Sequence, residues 1–270
     1  MSTPSNTAHR KTIFISGGAA GIGAATAQHF ARQGWLVGVF DVQPDAAQAL
    51  IRTLPGEGHL GGALDVSDAT QFAAQLAYFV THTHGRLDVL FNNAGIAVTE
   101  LFAETDISRL HRVIDVNLKG VLNGCHAALP HLRATAGARV ISMCSASAIY
   151  GQPMLAAYSA TKSAVRSLTE ALDIEWSRHG IRVVDVLPLF VDTAMVRNDV
   201  HRMETVRRLG VRLTAEDVAG AVWRLAESKP ARLPVHTYVG MQTRLSAFLA
   251  RISPTAMTRW TTAWLAGFTG

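Results

Sequence analysis

A chain of 270 residues that is 49% hydrophobic can bury a sizeable core, and a formal net charge of +5 raises the question of nucleic acid. That charge is local: no acidic residue follows Glu227, whereas Lys229, Arg232, Arg244, Arg251 and Arg259 do, so the remainder is balanced and nucleic acid is not an expected partner. Two cysteines, Cys125 and Cys144, with no C-x-x-C pair speak against a disulfide framework and structural zinc and fit a reducing cytoplasm, and no apolar run approaches the ~20 residues of a membrane span.

In chain order, residues 1–10 are polar, lack the apolar core of a signal peptide and are predicted to be disordered. Thr12–Ser16 reads as a buried strand, Ser16–Gly23 as a glycine-rich turn and Ala24–Arg32 as a helix. Further strand-like runs occur at Leu36–Phe40, Leu60–Leu64, Leu87–Phe91, Arg139–Met143, Arg182–Leu187 and Val235–Val239. Helical patterns at Ala69–His82, Ile107–Leu132, Ala157–His179 and Ala215–Ser228 separate them and are long enough for crossovers. Strands apolar on both faces and alternating with helices predict an α/β fold, a doubly wound parallel sheet of about seven strands with helices on both faces. It forms one domain over 11–240, and 241–270 is an amphipathic helical extension.

The turn holds Gly17, Gly18, Gly21 and Gly23. A bare turn needing positive φ would also use glycine, but the strand-to-helix context adds free N–H groups and a positive helix end that attract a phosphate. No Lys-Ser or Lys-Thr follows, which excludes the phosphate loop of nucleoside triphosphatases, and the spacing differs from G-x-G-x-x-G; a dinucleotide is the better reading. Asp41 closes the second strand 18 positions after Gly23, where a carboxylate accepts hydrogen bonds from ribose hydroxyls and repels a 2′-phosphate. With uncharged Ala20 and Val42 nearby, NAD is favoured over NADP. Tyr158 and Lys162, at i and i+4, share one helix face, and Ser145, 13 positions before Tyr158, ends a strand at the ligand-binding edge. A free tyrosine ionises near pH ~10, so a fixed ammonium beside it serves a base. His82 and His84 point in different directions and make a poor metal pair, and Cys144 lacks an activating base and reads as a buried strand residue. No metal site is predicted.

These stretches together resemble the short-chain dehydrogenase/reductase family over nearly all of residues 11–240. Ser16–Gly23 is similar to the family's T-G-x-x-x-G-x-G with Ser for Thr, Asp65-Val66 to the pair that contacts adenine, and Asn92-Asn93-Ala94-Gly95 to its N-N-A-G. Asn117 falls on the family's active-site asparagine and completes a tetrad with Ser145, Tyr158 and Lys162. Pro188-Leu189 departs from the usual Pro-Gly, while Thr193 matches the residue that bonds the carboxamide. The resemblance implies a Rossmann-type fold and NAD-linked hydride transfer between an alcohol and a ketone. It also implies a cofactor cradle of Gly17, Gly21, Ile22, Gly23, Asp41, Asp65, Val66, Asn93, Ala94, Gly95, Tyr158, Lys162, Pro188, Val191 and Thr193. Ser145 would then bond the substrate oxygen, Tyr158 act as general base, Lys162 hold the ribose and lower the Tyr158 pKa, and Asn117 anchor a proton-relaying water. A homodimer or homotetramer is a further implication.

Ile96, Ala146, Tyr150, Met154, Leu155, Phe190 and Met195 are expected to face the substrate, and their lack of charge selects a neutral hydrophobic alcohol or ketone. An acyl thioester and a hydroxysteroid-like ring are the alternatives; the intact tetrad speaks against a nucleotide sensor without turnover. Arg197, Arg202, Arg207 and Arg208 alternate with Asp199 and Glu204 and read as the solvated face of a mobile lid. In the tail, Leu245, Phe248, Leu249 and Ile252 share a helix face, Ser253-Pro254 reads as the N-cap and first position of a second helix, and Met257, Trp260, Trp264 and Phe268 continue the stripe. These faces are expected to pack over the pocket or a neighbouring subunit; an anionic membrane surface is the alternative.

Overall fold

The computed structural model describes residues 10–199 and 203–268. The disorder expected of residues 1–9 lies outside them. Arg10, grouped with that terminus from sequence, is fixed instead: its guanidinium donates to the carbonyls of Gly34, Glu57 and Trp35 at 3.0, 2.7 and 3.0 Å.

Seven parallel strands form one sheet in the order β3-β2-β1-β4-β5-β6-β7. They are β1 (Thr12–Ser16), β2 (Leu36–Asp41), β3 (Leu60–Ala63), β4 (Val89–Asn92), β5 (Arg139–Met143), β6 (Arg182–Leu187) and β7 (His236–Tyr238). Alternate strand residues serve opposite faces, the period-two signature of a strand covered on both sides. Ile13, Ile15, Val37, Val39, Val184 and Val186 are buried beneath α1 (Gly21–Arg32), α2 (Pro44–Ile51) and α9 (Ala215–Glu227). Phe14, Phe40, Leu90, Val140 and Val183 are buried beneath α3 (Ala69–His82), α5 (Gly120–Ala134) and α6 (Ala156–Ser177). The strand order reverses between β1 and β4, so a crevice opens at their carboxyl ends, where the glycine turn and Asn93–Gly95 meet.

Two local differences from the sequence pattern bear on this crevice. The single helix expected over Ile107–Leu132 is α4 (Ile107–Ile114) and α5 joined by a π turn, Asp115–Lys119, which buries Asn117 completely. After β6 the chain adds α7 (Ala194–Asp199) and α8 (Glu204–Leu209), too short to announce themselves by periodicity. There Arg197 pairs with Asp192 at 2.8 Å, and Arg207 and Arg208 pair with Glu204 at 3.1 and 2.9 Å. Arg202 and the side chain of Asp199 lie outside the described residues.

The tail forms α10 (Met241–Ile252) and α11 (Thr255–Ala266). The expected cap is displaced by one residue: Ser253 ends α10, Pro254 occupies the N-cap of α11, and no side chain caps that helix. Most of the large apolar residues of the tail are not covered within the chain. Thr243 and Thr262 are the buried residues of the two helices, whereas Leu245, Phe248, Ile252, Trp260 and Trp264 are exposed. Among the described residues no helix is long and apolar enough to cross a membrane.

Candidate active site

The glycine turn is shaped first by its own surroundings. Gly17 (φ +61°) and Gly21 (φ +51°) adopt left-handed backbone, and a Cβ on Gly17 would stand 2.7 Å from Ala94 Cα. A Cβ on Gly23 would overlap the Gly17 carbonyl oxygen and approach Asn93 Nδ2 to 2.8 Å. The Asn93 amide donates to the carbonyls of Ser16 and Gly17 at 3.1 and 2.7 Å, and the Ser16 hydroxyl accepts from the Asn93 and Ala94 amides at 3.2 and 3.3 Å. Serine thus supplies at position 16 the acceptor that a threonine would.

This framework suits a dinucleotide. No side chain caps α1 and no acid stands in its first turn, so its leading N–H groups are available to an anion. Ile22 packs its side chain on the core beside them. Asp41, half-buried at the end of β2, accepts from the amides of Ala19 and Gln43 at 3.1 Å each, which fixes the carboxylate beside the turn. Asp65 follows β3: burial works against its charge, but hydrogen bonds from Ser67 and from Arg112, the latter at 2.8 Å, outweigh it and hold the carboxyl below its usual range. Asn123 donates to the Val66 carbonyl at 2.9 Å. Arg112 and Asn123 carry no motif, and only the docking of α4 and α5 reveals them. Thr193 lays its methyl group 3.4 Å from where a Gly21 Cβ would stand. Pro188 accepts from the Ala146 amide at 2.9 Å, and Val191 is buried in the core, bridged to Leu213.

The tetrad gathers at this edge. Ser145 leaves β5 and heads a short 3₁₀ turn, Ala146–Ala148, accepting from the Ser147 amide at 3.2 Å. Tyr158, in the first turn of α6, lines the same cavity wall as Ser145. Burial pushes its phenol up to about 12, Ser145 pulling weakly the other way. One helical turn on, Lys162 is buried, its Nζ 5.6 Å from the Tyr158 ring centroid and donating to the Met143 carbonyl at 2.7 Å. Desolvation lowers the lysine pKa. The expected lowering of Tyr158 by Lys162 is therefore absent from the protein by itself, where burial dominates both groups. Asn117 Oδ1 accepts from the Ile96 amide at 2.8 Å while its Nδ2 donates to the Ile96 carbonyl at 2.9 Å, so its side chain fixes the strand end beside Gly95. Cys144 is buried with its thiol pushed up to about 12, chiefly by desolvation, and is inert as a nucleophile.

Ser145 and Tyr158 form one wall of a cavity of about 310 Å³. Of the residues expected there, Ala146, Tyr150, Leu155, Phe190 and Met195 line it. Ile96 does not, because its backbone is clasped by Asn117 and its side chain packs into the core beneath α5 and α6. Met154, in left-handed conformation at φ +64°, gives its place to Gln152 and Leu155. Ala97 and Thr99 line the wall below, Met203 and Val206 close it beside α8, and Ser246, Ala250, Thr258, Thr261, Thr262 and Leu265 roof it from the tail. Of the apolar stripes expected over the pocket or a neighbouring subunit, Leu249 lines the cavity, with Leu265 beside it, and small and hydroxyl-bearing positions complete the roof.

A doubly wound sheet with an uncapped helix start at its switch point, and a serine and a tyrosine on one cavity wall beside a buried lysine, defines a nucleotide-linked oxidoreductase scaffold. The sequence model of the short chain dehydrogenase family matches residues 11–204, and the chain belongs to that family. It is 33% identical over 244 residues to oxidoreductase UcpA of Escherichia coli K12, covering 89% of this chain and 87% of the relative. Cyclohexanol dehydrogenase of Acinetobacter is 31% identical over 224 residues, 81% of this chain and 88% of that one. The structure of a 3-ketoacyl-(acyl-carrier-protein) reductase from Brucella melitensis complexed with NADH superimposes with a TM-score of 0.77 at 25% identity, covering 86% of this chain and 96% of its own.

Proposed function

We propose that this protein interconverts a neutral, hydrophobic secondary alcohol and its ketone in the cytoplasm with NAD(H), using Tyr158 as general base and acid. The observation that carries the reading is the placement of Ser145 and Tyr158 together on the wall of a largely apolar cavity of about 310 Å³, with buried Lys162 beside the phenol ring. A wall without charged side chains disfavours an anionic substrate. That volume is near the lower end of small-molecule sites, which favours a compact ring, as in the relative named for cyclohexanol, over a steroid nucleus or a carrier-bound thioester.

A nicotinamide cofactor bound at the glycine turn would supply the hydride acceptor for oxidation and the hydride donor for reduction. Ser145 donates to the substrate oxygen and fixes its position against the phenol. Tyr158 takes the hydroxyl proton during oxidation and returns it during reduction, at the same phenol oxygen. Lys162 retains N–H donors beyond the one held by Met143, and these suit ribose hydroxyls. Asn117 holds the Ile96 backbone, and through it the Gly95 approach, in register. Asp41 beside uncharged Ala20 and Val42 favours NAD. Self-association into a dimer or tetramer belongs to the same reading.

The test is a panel of cyclic and acyclic secondary alcohols, hydroxysteroids and acyl thioesters, each with NAD and with NADP, followed by nicotinamide absorbance. Turnover confined to thioesters or steroids, or faster with NADP at subsaturating levels, overturns the corresponding part.

A further inference from the structure

The two helices that roof the cavity present a second face. On α10, Met241, Leu245, Phe248 and Ile252 stand at i, i+4, i+7 and i+11, and on α11 Met257, Trp260 and Trp264 stand at i, i+3 and i+7. All are exposed, Phe248 by 59%, Ile252 by 62% and Trp260 by 61%. Leu249 and Leu265 line the cavity together with Ser246, Thr258, Thr261 and Thr262, yet the larger apolar groups of the same helices are left in water, where they call for a cover. A contiguous exposed face of this kind marks an interaction surface.

The charges say what covers it. Arg244, Arg251 and Arg259 are exposed on these helices, and among the described residues none pairs with a carboxylate. No acidic residue occurs after Glu227. Glu204, which lies against Gly267, is already occupied by Arg207 and Arg208 at 3.1 and 2.9 Å. A second copy docked about a two-fold axis would set this face against itself and bring unpaired arginines together. An anionic lipid surface instead complements both components, its acyl boundary receiving the apolar stripe and its headgroups the arginines, with tryptophan suited to the interface between them. Arg208 fixes this face to the catalytic domain: its guanidinium stacks 4.8 Å from the Trp264 ring and donates to the Trp264 carbonyl.

We propose that α10 and α11 seat the enzyme on an anionic bilayer surface, with their apolar stripe in the headgroup boundary and the substrate cavity directly behind them. The seating does not depend on which substrate the cavity takes.

The experiment is co-sedimentation of the full chain with vesicles of phosphatidylcholine, with and without phosphatidylglycerol, at low and high salt, together with tryptophan fluorescence. Binding is expected to phosphatidylglycerol vesicles, weakened by salt, with a blue shift that Trp260→Ser diminishes. Each neutralised arginine near the surface should weaken partitioning about fivefold, so Arg251→Gln with Arg259→Gln should weaken it about 25-fold. Both positions are exposed, and a melting curve matching the parent shows that the double variant folds. Failure to sediment with phosphatidylglycerol vesicles, or undiminished binding by the double variant, overturns the proposal. So does an oligomer, seen by light scattering, that Leu245→Ser or Trp260→Ser dissociates, since a second copy then covers the face. None of these readouts uses turnover, so a wrong substrate class leaves them unaffected.

Discussion

Replacing Gly23 and Gly21 separately by alanine distinguishes a turn shaped by its own backbone from one shaped by its ligand. At Gly23 the added methyl would overlap the Gly17 carbonyl oxygen and stand 2.8 Å from both Gly18 Cα and Asn93 Nδ2. Two of those three atoms are backbone, and the third is the amide whose bonds to Ser16 and Gly17 hold the turn against β4. Relief therefore requires opening the β1–α1 connection. Overpacking costs about 1–3 kcal/mol, and with no flexible neighbour to yield the upper end applies, about 3 kcal/mol. For a chain of this size that is a fall in Tm of about 6–12 °C. At Gly21 the methyl meets only the Thr193 methyl, at an ordinary 3.4 Å, but φ of +51° disfavours any L side chain by about 1–2 kcal/mol. Gly21→Ala should melt about 2–8 °C below the parent, less than Gly23→Ala, yet bind NADH more weakly, because the added group lies at the helix start offered to the cofactor. Thermal denaturation and titration of NADH fluorescence measure the two effects separately. If Gly23→Ala melts with the parent, or Gly21→Ala loses the more stability, the close approach described for this turn is wrong.

Tyr158→Phe should lower turnover by about 10²–10⁴-fold with NADH binding retained, which stopped-flow binding and steady-state rates would check. Because burial holds the phenol at about 12, absorbance titration of the cofactor-free protein should reveal no Tyr158 ionisation near neutrality; a parent-minus-Phe difference signal there would contradict this. Val42→Arg combined with Asp41→Ala should raise the NADP-to-NAD ratio of kcat/KM by at least about tenfold, with some loss of NAD affinity because the Ala19 amide loses its acceptor; an unchanged ratio would remove Asp41 from cofactor choice. His236 bridges Asp185 at 3.0 Å and Glu170 at 2.8 Å, and the Asp185 hydrogen bond, outweighing desolvation, raises its pKa. A raised folded pKa gives stability that is complete below the unfolded value and lost as pH rises through the folded one. Denaturant melts should therefore weaken from about pH 6.5 upward, and His236→Asn should flatten that slope; a slope unaltered in the variant would assign it elsewhere.

The central strands were legible because they are covered on both sides: Ile13 and Ile15 pack on one face and Phe14 on the other, whereas the edge strands β3 and β7 are only half-buried. The proximity of Ser145, Tyr158 and Lys162 was legible because they lie at the end of one strand and on one turn of the next helix, where spacing fixes direction. The π turn was not, since one extra residue in a helix leaves the hydrophobic period almost intact, and its result, Asn117 clasping Ile96, is a long-range contact. Assigning Ile96 and Met154 to the pocket presumed that every apolar residue near the crevice faces it. In the tail, periodicity identified two amphipathic helices but does not say which residues look inward: Leu249 lines the cavity while Leu245, Phe248 and Ile252 remain exposed.

The same limit governs the relation of Lys162 to Tyr158. Spacing i, i+4 brings the lysine within 5.6 Å of the tyrosine ring, but its ammonium points to Met143, and the cavity wall that excludes water from the phenol raises the cost of ionising it. On the proposed mechanism, a phenol kept protonated by burial is ready to donate to a ketone oxygen. Oxidation asks the same oxygen to accept a proton, and the groups that could make that favourable are the Ser145 hydroxyl and the Lys162 ammonium, both already within the site. Burial thus does two things at once: it suppresses the phenolate in the resting protein and, by lowering the dielectric, strengthens each hydrogen bond that the phenolate would accept once formed.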